Sequence, residues 1–250
     1  MLNKEELSGQ IAYITINPGG RFMKSAQMGF SEVGLNPKFL IHVNPKNRLQ
    51  KEFKKYRLGI FKSFLIQKFK QHYGNTQSFS EETINIPIEK TFKVNALNDT
   101  ATAEIIKNNN IKYLINCGAG IFRKKLLSIE GLKVFNAHAG KLPEYQNMNV
   151  VDWAIYNNED VVGTIHLIDE GIDTGDILTE KVLDVSKMKT LEDARNSAFD
   201  QVIKLMGKTV LDYANNTISA QKQIKKGKKW YVMHAYFKQK INDQLAQKNK

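Results

Sequence analysis

The segment Asn136-Ala-His138 combines two residue types that could do chemistry, and it directly follows an apolar run at residues 134–135. Side chains two positions apart on an extended segment project to the same side. The Asn136 amide could donate hydrogen bonds, and the His138 imidazole can exchange a proton near neutral pH. The alternative is that Asn136 closes a turn and that His138 is a hydrogen-bonded polar residue without a catalytic role.

Two further stretches are candidates for a binding site. Residues 166–178 place acids and glycines in a loop between two apolar runs, although Asp and Gly are also common in ordinary loops. Residues 116–120 read Asn-Cys-Gly-Ala-Gly, a segment that could let a ligand approach the backbone or could form an ordinary strand-to-helix turn. The sequence contains no dinucleotide fingerprint, P-loop, zinc-ligand spacing or nucleophile elbow. We predict that Cys117 is buried rather than reactive.

The elements that must position these residues follow from the hydrophobic pattern. Runs rich in β-branched residues predict strands at residues 11–16, 39–43, 92–94, 111–115, 134–135, 163–168 and 177–185. Helical spacing of apolar residues predicts helices at residues 21–34, 51–73, 100–110, 150–157 and 191–215. A capping box formed by Thr190 and Asp193 opens the last of these helices. Residues 219–233 are predicted to form a hairpin around a Lys-rich turn.

Strands that alternate with helices indicate an α/β fold with a mostly parallel sheet, here followed by a short C-terminal β-hairpin. Ligands of such sheets bind beyond the carboxyl ends of the strands. The 250 residues, 42% of them hydrophobic, are sufficient for one large domain. We divide the chain into residues 1–216, which hold the candidate site, and residues 217–250, the hairpin and a basic tail.

Several protein classes are excluded by composition. One cysteine excludes an internal disulfide framework and a cysteine-rich zinc site. No apolar run approaches the roughly 20 residues that a membrane span needs. Residues 1–10 are polar and carry acids, unlike a signal peptide. We therefore expect a cytoplasmic protein without a membrane span.

The net charge of +12 is concentrated in two segments. Residues 48–72 hold eight Lys or Arg and one Glu, and residues 221–250 hold nine Lys and one Asp. The rest of the chain then carries a net charge of −3. Such Lys runs are typical of solvated faces, although basic and aromatic residues together can also bind single-stranded nucleic acid.

The spacing of several motifs resembles that of the folate-dependent formyltransferase family. The pattern is Asn136-x-His138, then Leu142-Pro143, then His166-x6-Asp173-x-Gly175, and the resemblance is strong over residues 111–215. It implies a Rossmann-like sheet, N10-formyltetrahydrofolate as the formyl donor, and no metal. The implied catalytic residues are Asn136, His138 and Asp173. The implied folate-binding residues are Gly120, Ile121, Phe122, Asp169 and Gly171.

The chemistry of the implied catalytic set is coherent. An amine that attacks a formyl carbon produces a tetrahedral species with a negative oxygen and a positive nitrogen. An Asn amide and a protonated His can stabilise that oxygen. A nearby carboxylate favours the imidazolium form of the His and can accept the amine proton. The sequence departs from the family where residues 145–148 replace an Arg-Gly or Pro-Gly pair, but because Asn tolerates positive φ we expect the turn to be retained.

The branches of the family differ in their formyl acceptor. Only about 35 residues follow the last predicted long helix, too few for the C-terminal barrel of the methionyl-tRNA enzymes. Residues 17–22 match the phosphate loop of the glycinamide ribonucleotide enzymes poorly. Residues 148–153 and the predicted hairpin resemble the nucleotide-sugar branch, which acts in surface-polysaccharide synthesis.

The resemblance therefore implies a dTDP- or UDP-linked amino sugar as the acceptor and a homodimer formed through the hairpin, with no nucleic acid partner favoured. A glycinamide ribonucleotide or methionyl-tRNA formyltransferase is the alternative within the family. An alternative of another class is an RNA-binding protein on a degenerate transferase fold, whose salt-sensitive binding would depend on residues 225–229.

Overall fold

The computed structural model describes residues 3–44 and 88–248. Nine strands are present in these residues: β1 Ile11–Thr15, β2 Phe39–Val43, β3 Lys90–Val94, β4 Tyr113–Asn116, β5 Lys133–His138, β6 Gln146–Asn147, β7 Val162–Leu167, β8 Ile177–Val182 and β9 Lys229–Trp230. The helices in the same residues are α1 Lys4–Ser8, α2 Arg21–Glu32, α3 Thr100–Asn108, α4 Lys124–Leu127, α5 Val150–Tyr156, α6 Leu191–Ala214 and α7 Ala235–Lys248.

Seven strands form one sheet in the order β3-β2-β1-β4-β5-β7-β8. The pairs from β3 to β5 are parallel, whereas β7 is antiparallel to both β5 and β8. This arrangement confirms the predicted α/β class and the mostly parallel sheet. The antiparallel register places Asn136 of β5 opposite His166 of β7. Asn136 and His166 both belong to the motif of the family resemblance. They are 30 positions apart in sequence, and the pairing of β5 with β7 makes them neighbours on adjacent strands.

Hydrophobic side chains cover both faces of the sheet, as expected for a sheet with helices on both sides. One cluster joins Tyr13, Phe135 and Met206 beneath α2 and α6. A second cluster joins Ile14 and Leu114 beneath α3 on the other face. All five residues of β1 are buried, which explains why its sequence is a continuous apolar run rather than an alternating one.

The helix α6 is held by its cap and by a close crossing with α2. The Thr190 side chain accepts a hydrogen bond from the Asp193 amide, which confirms Thr190 as the helix cap, and Asp193 Oδ2 accepts from the Thr190 hydroxyl at 2.7 Å. At the crossing, a Cβ added to Gly207 would lie 2.1 Å from the carbonyl oxygen of Gly29. The two glycines let the helices approach until their backbones touch, so α6 lies directly against α2 and the sheet.

The predicted C-terminal hairpin is wrong. Gln221 forms an antiparallel bridge with Ile177, and β9 pairs in parallel with β6 instead of with a strand of its own segment. Trp230 of β9 stacks on Tyr145, with ring centroids 5.1 Å apart. Both partners are distant in sequence, so the local pattern of two apolar runs around a Lys-rich turn did not reveal them. The homodimer expected through this segment stays a prediction.

Most of the predicted basic tail is the helix α7. Its buried residues Ile241 and Leu245 are four positions apart and join Met233 and Leu191 in a small cluster. The lysines masked this helical spacing in the sequence. The predicted helix at residues 51–73 and the basic segment at residues 48–72 lie outside the described residues, and the boundary between residues 216 and 217 stays a prediction. None of the helices in the described ranges is both long and apolar enough to cross a membrane.

Candidate active site

The Asp173 carboxylate lies between two imidazole rings. Its Oδ2 is 3.7 Å from Nδ1 of His138 on β5, and its Oδ1 is 3.6 Å from Nε2 of His166 on β7. The backbone amide of Asn147 donates to Oδ2 at 2.8 Å. Asn136 reaches this group through His166, because its Nδ2 is 3.1 Å from His166 Nε2. The structure therefore brings together all three residues that the resemblance implied, with His166 at their centre.

Asp173 is held as a carboxylate at neutral pH. Burial by itself would raise its pKa. The contact with His166, the positive charge that His138 carries in its protonated form and the Asn147 amide together outweigh burial and lower the pKa of Asp173 below its ordinary value. The residue also adopts a left-handed φ of +55° on the loop between β7 and β8, a conformation that costs free energy in a non-glycine residue.

His138 is almost completely buried, with 7% of its surface exposed. Its Nε2 lies 2.6 Å from the carbonyl oxygen of Tyr145. A carbonyl can only accept, so this contact assigns a proton to Nε2 and directs Nδ1 toward Asp173. Burial lowers the pKa of His138, and the opposing effect of Asp173 does not cancel it. The imidazolium expected from the sequence is therefore not the form that this environment favours.

A chain of hydrogen bonds orients the Asn136 amide. The Ala119 amide donates to Asn116 Oδ1 at 2.9 Å, and Asn116 Nδ2 donates to Asn136 Oδ1 at 3.0 Å. The chain continues from Asn136 Nδ2 to His166 Nε2, and His166 Nδ1 lies 2.8 Å from the carbonyl of Leu167. Because a backbone donor begins the chain and a backbone acceptor ends it, both amide orientations and the His166 tautomer are determined.

Sequence reasoning assigned no role to Asn116 or to His166. Asn116 was interpreted only as the first residue of a glycine-containing stretch, and His166 only as part of a spacing motif. The signal that links them to Asn136 is the strand register, which places β4 and β7 on either side of β5. Only the strand order shows that these three polar side chains share one site.

The implied folate-binding residues on the loop after β4 differ in accessibility. Gly120 has a φ of +117°, and Ile121 is 66% exposed while its carbonyl accepts from Asn98 Nδ2 at 2.9 Å. Phe122 is buried in the core, so its side chain is not available to a ligand. The exposed surface of this loop is therefore the Ile121 side chain and the glycine backbone beside it.

The other two implied folate-binding residues lie on the loop that carries Asp173. Asp169 Oδ1 accepts from the Gly171 amide at 3.0 Å and from the Thr174 hydroxyl at 2.6 Å. A Cβ at Gly171 would lie 1.9 Å from that hydroxyl oxygen. Asp169 therefore stabilises the loop internally, and a side chain at position 171 would displace the Thr174 hydroxyl from Asp169.

Two smaller expectations are confirmed. Asn147 has a φ of +83°, so the turn at residues 145–148 is retained with Asn in the left-handed conformation. Cys117 is buried, and burial raises its pKa to about 12. In residues 3–44 and 88–248, no group of three His, Cys, Asp or Glu side chains has the geometry of a metal site.

The chain is similar to known proteins in sequence and in fold. The model of the formyl transferase family matches residues 62–210. The methionyl-tRNA formyltransferase of Clostridium perfringens is 29% identical over 141 residues, which are 56% of this chain and 45% of the relative. The chain thus spans less than half the length of that curated relative.

Two solved structures share the fold over nearly the whole chain. A 4-N formyltransferase from Francisella tularensis has a TM-score of 0.57 at 17% identity, covering 96% of this chain and 86% of its own. An N-formyltransferase from Helicobacter canadensis, in complex with folinic acid and dTDP-3-aminofucose, has a TM-score of 0.55 at 18% identity, with 95% and 80% covered. At these identities the likeness establishes the fold alone.

Proposed function

This chain belongs to the formyl transferase family, and on that premise we propose that it transfers a formyl group from N10-formyltetrahydrofolate to the amino group of a dTDP- or UDP-linked amino sugar. The observation that carries the proposal is the arrangement of Asn136, His138 and Asp173 around His166, with the carboxylate 3.7 Å and 3.6 Å from the two imidazoles. An amide donor, a neutral imidazole and a carboxylate within one site are the groups that direct amine attack on a formyl carbon requires.

Asn136 is assigned to the formyl oxygen. Its amide carries two N–H groups, one of which is used in the contact with His166 Nε2. The other is the donor that stabilises negative charge as it develops on the oxygen. Removal of such a donor typically costs about 100-fold or more in rate. The Asn116 contact prevents the amide from presenting its oxygen in that position.

The pair of His138 and Asp173 is assigned to the amine proton. Because Nε2 of His138 is engaged by the Tyr145 carbonyl, its Nδ1 is the atom that can accept a proton, and it faces the carboxylate. A proton on Nδ1 forms an imidazolium that Asp173 stabilises by its charge. When the tetrahedral species collapses, the bond between the formyl carbon and N10 breaks, and the imidazolium returns the proton to N10 of the departing tetrahydrofolate. His138 therefore acts first as a base and then as an acid, and Asn136 is the donor assigned to the oxygen anion.

The formyl donor is assigned to the two loops that flank Asn136. The exposed Ile121 and the left-handed Gly120 offer an apolar side chain beside open backbone, which suits a flat pterin ring. The loop that contains Asp169 follows β7, on the other side of β5 from the loop after β4. This loop leads directly to Asp173. The backbone of Phe122, rather than its buried side chain, would complete this surface.

The proposed acceptor is an amino sugar linked to a nucleotide. The likeness to the Francisella and Helicobacter enzymes extends over 95–96% of this chain, and the second of these was solved with dTDP-3-aminofucose. The Clostridium relative competes, because it is a methionyl-tRNA formyltransferase with 29% identity. Its sequence match covers 56% of this chain, and the structural likenesses describe the fold alone. The proposal of a sugar acceptor therefore rests on the resemblance of residues 148–153 to the nucleotide-sugar branch.

A panel of acceptors tests the proposal. Purified protein and N10-formyltetrahydrofolate are mixed with dTDP- and UDP-linked 3-amino and 4-amino sugars, with glycinamide ribonucleotide or with methionyl-tRNA, and tetrahydrofolate release is followed. We expect turnover with an amino-sugar nucleotide. Faster turnover with methionyl-tRNA or the ribonucleotide would overturn the acceptor. The absence of turnover with every acceptor, together with salt-sensitive RNA binding, would favour the RNA-binding alternative.

A further inference from the structure

A residue of the C-terminal segment reaches the loop that carries Asp173. The family match ends at residue 210, yet the chain returns to the site at residue 221, where Gln221 bridges to Ile177 at the end of that loop. Two residues later, Gln223 contacts the loop directly. We infer that Gln223 is a positioning residue that holds Asp173 in its working conformation, an inference that rests on the proposed function.

The Gln223 amide binds two carbonyls of the loop. Its Nε2 donates to the carbonyl of Asp173 at 3.0 Å and to the carbonyl of Gly175 at 2.7 Å. Its Oε1 accepts from Gln146 Nε2 at 3.3 Å, and Gln146 also donates to the Asp173 carbonyl at 3.1 Å. Two side chains, one from β6 and one from the C-terminal segment, therefore converge on the backbone of Asp173.

These contacts matter because of the conformation of Asp173. At a φ of +55°, its backbone is in a conformation that a non-glycine residue keeps only when its surroundings enforce it. Gly175 is buried, and a Cβ there would lie 1.9 Å from the Leu167 carbonyl oxygen. Loss of Gln223 would leave the Gly175 carbonyl, in this tight loop, without the donor that the glutamine supplies.

The C-terminal segment also supports the opposite side of the site. Trp230 of β9 is the register partner of Asn147, whose amide binds the Asp173 carboxylate. The Trp230 ring is parallel to the Tyr145 ring within 5°, and the Tyr145 carbonyl binds His138. The segment thus holds both the carboxylate and the imidazole that faces it.

The pKa of His138 reports the position of the Asp173 carboxylate. The titratable side chains that act on Asp173 are His138 on β5 and His166 on β7. Asp173 raises the pKa of His138 against the larger effect of burial. If the Asp173 carboxylate moves away from His138, it no longer raises the pKa of His138 against the effect of burial. His138 should then become protonated only at lower pH.

Three variants separate positioning from simple stabilisation. Gln223→Ala removes the side chain, and Gln223→Glu keeps its size but replaces the N–H donors with acceptors. We expect both to lower kcat by about 10- to 100-fold, the scale for a displaced catalytic group, with little change in the KM for either substrate. Gln221→Ala is the matched control, because the Gln221 side chain donates to the Ser219 hydroxyl and its bonds with Ile177 are made by the backbone, so this variant should retain the wild-type rate.

The second measurement does not depend on turnover. The titration of His138 is followed by NMR in wild type and in the Gln223 variants, with the signal of His42 on β2 as an internal reference. We expect His138 to titrate at lower pH in Gln223→Ala and as in wild type in Gln221→Ala. An unchanged His138 titration in Gln223→Ala, or a wild-type kcat in both Gln223 variants, overturns the inference. If wild type transfers no formyl group but the titration shifts, the proposed function fails and the positioning role stands.

Discussion

Asp173→Asn tests the assignment of the His138–Asp173 pair, because it removes the charge and keeps the shape of the side chain. In the proposed reaction, His138 becomes an imidazolium 3.7 Å from the carboxylate. Two unit charges at about this distance attract by about 4 kcal/mol at an effective dielectric constant of about 20. Since about 1.4 kcal/mol corresponds to a tenfold change in rate, the loss of that attraction should lower kcat by about 1,000-fold.

The assay is tetrahydrofolate release with whichever acceptor the wild type uses, under conditions that saturate both substrates. Asp160→Asn is the control, since Asp160 is an exposed acid between α5 and β7. The same samples are titrated by NMR. Because Asp173 raises the pKa of His138, His138 should titrate at lower pH in the variant.

Two results would refute this reasoning. A kcat in Asp173→Asn within about tenfold of wild type would mean that less than about 1.4 kcal/mol of the attraction is used in the rate-limiting step. A His138 titration that is unchanged, or that moves to higher pH, would mean that the carboxylate does not act on His138 as the 3.7 Å contact indicates.

Three further changes have expected outcomes. Asn116→Asp keeps an acceptor but removes the donor that orients the Asn136 amide. We expect kcat to fall about tenfold, less than the about 100-fold that complete loss of such a donor typically costs, and a wild-type rate would show that Asn116 does not orient the amide. Gly207→Ala should lower the urea midpoint, because overpacking against the α2 backbone costs about 1–3 kcal/mol or more and exceeds the helix-propensity gain of about 1 kcal/mol. Gly19→Ala, with nothing within 4 Å of the new Cβ, should leave that midpoint unchanged, and equal midpoints for the two variants would contradict the close helix contact. Burial lowers the pKa of His138 in the folded protein, so at falling pH this residue is protonated first in the unfolded chain, and the free energy of unfolding should fall below about pH 6.5, the ordinary value for His. The urea midpoint of His138→Gln should therefore depend less on pH between pH 7 and pH 5 than that of the wild type. Equal pH dependence of the two midpoints would argue against the lowered pKa of His138.

The elements of the main sheet could be predicted because their signals are local. The apolar run of β1 and the helical spacing of apolar residues in α6 can each be recognised from residues that are close together in sequence. The Thr190 cap likewise involves a residue only three positions away. The C-terminal segment was predicted wrongly for the opposite reason. Trp230 pairs with residues more than 80 positions earlier, and no local pattern carries that information.

The sequence by itself determined the α/β class and, through the order and spacing of its motifs, three side chains that the structure brings into one site. The tertiary structure alone decided how those side chains are held. Asn116 and His166 join Asn136 through strand register, and Gln223 reaches Asp173 through a segment 50 residues further along the chain. The protonation of His138 also depends on the fold, because burial, which no motif encodes, outweighs the nearby carboxylate.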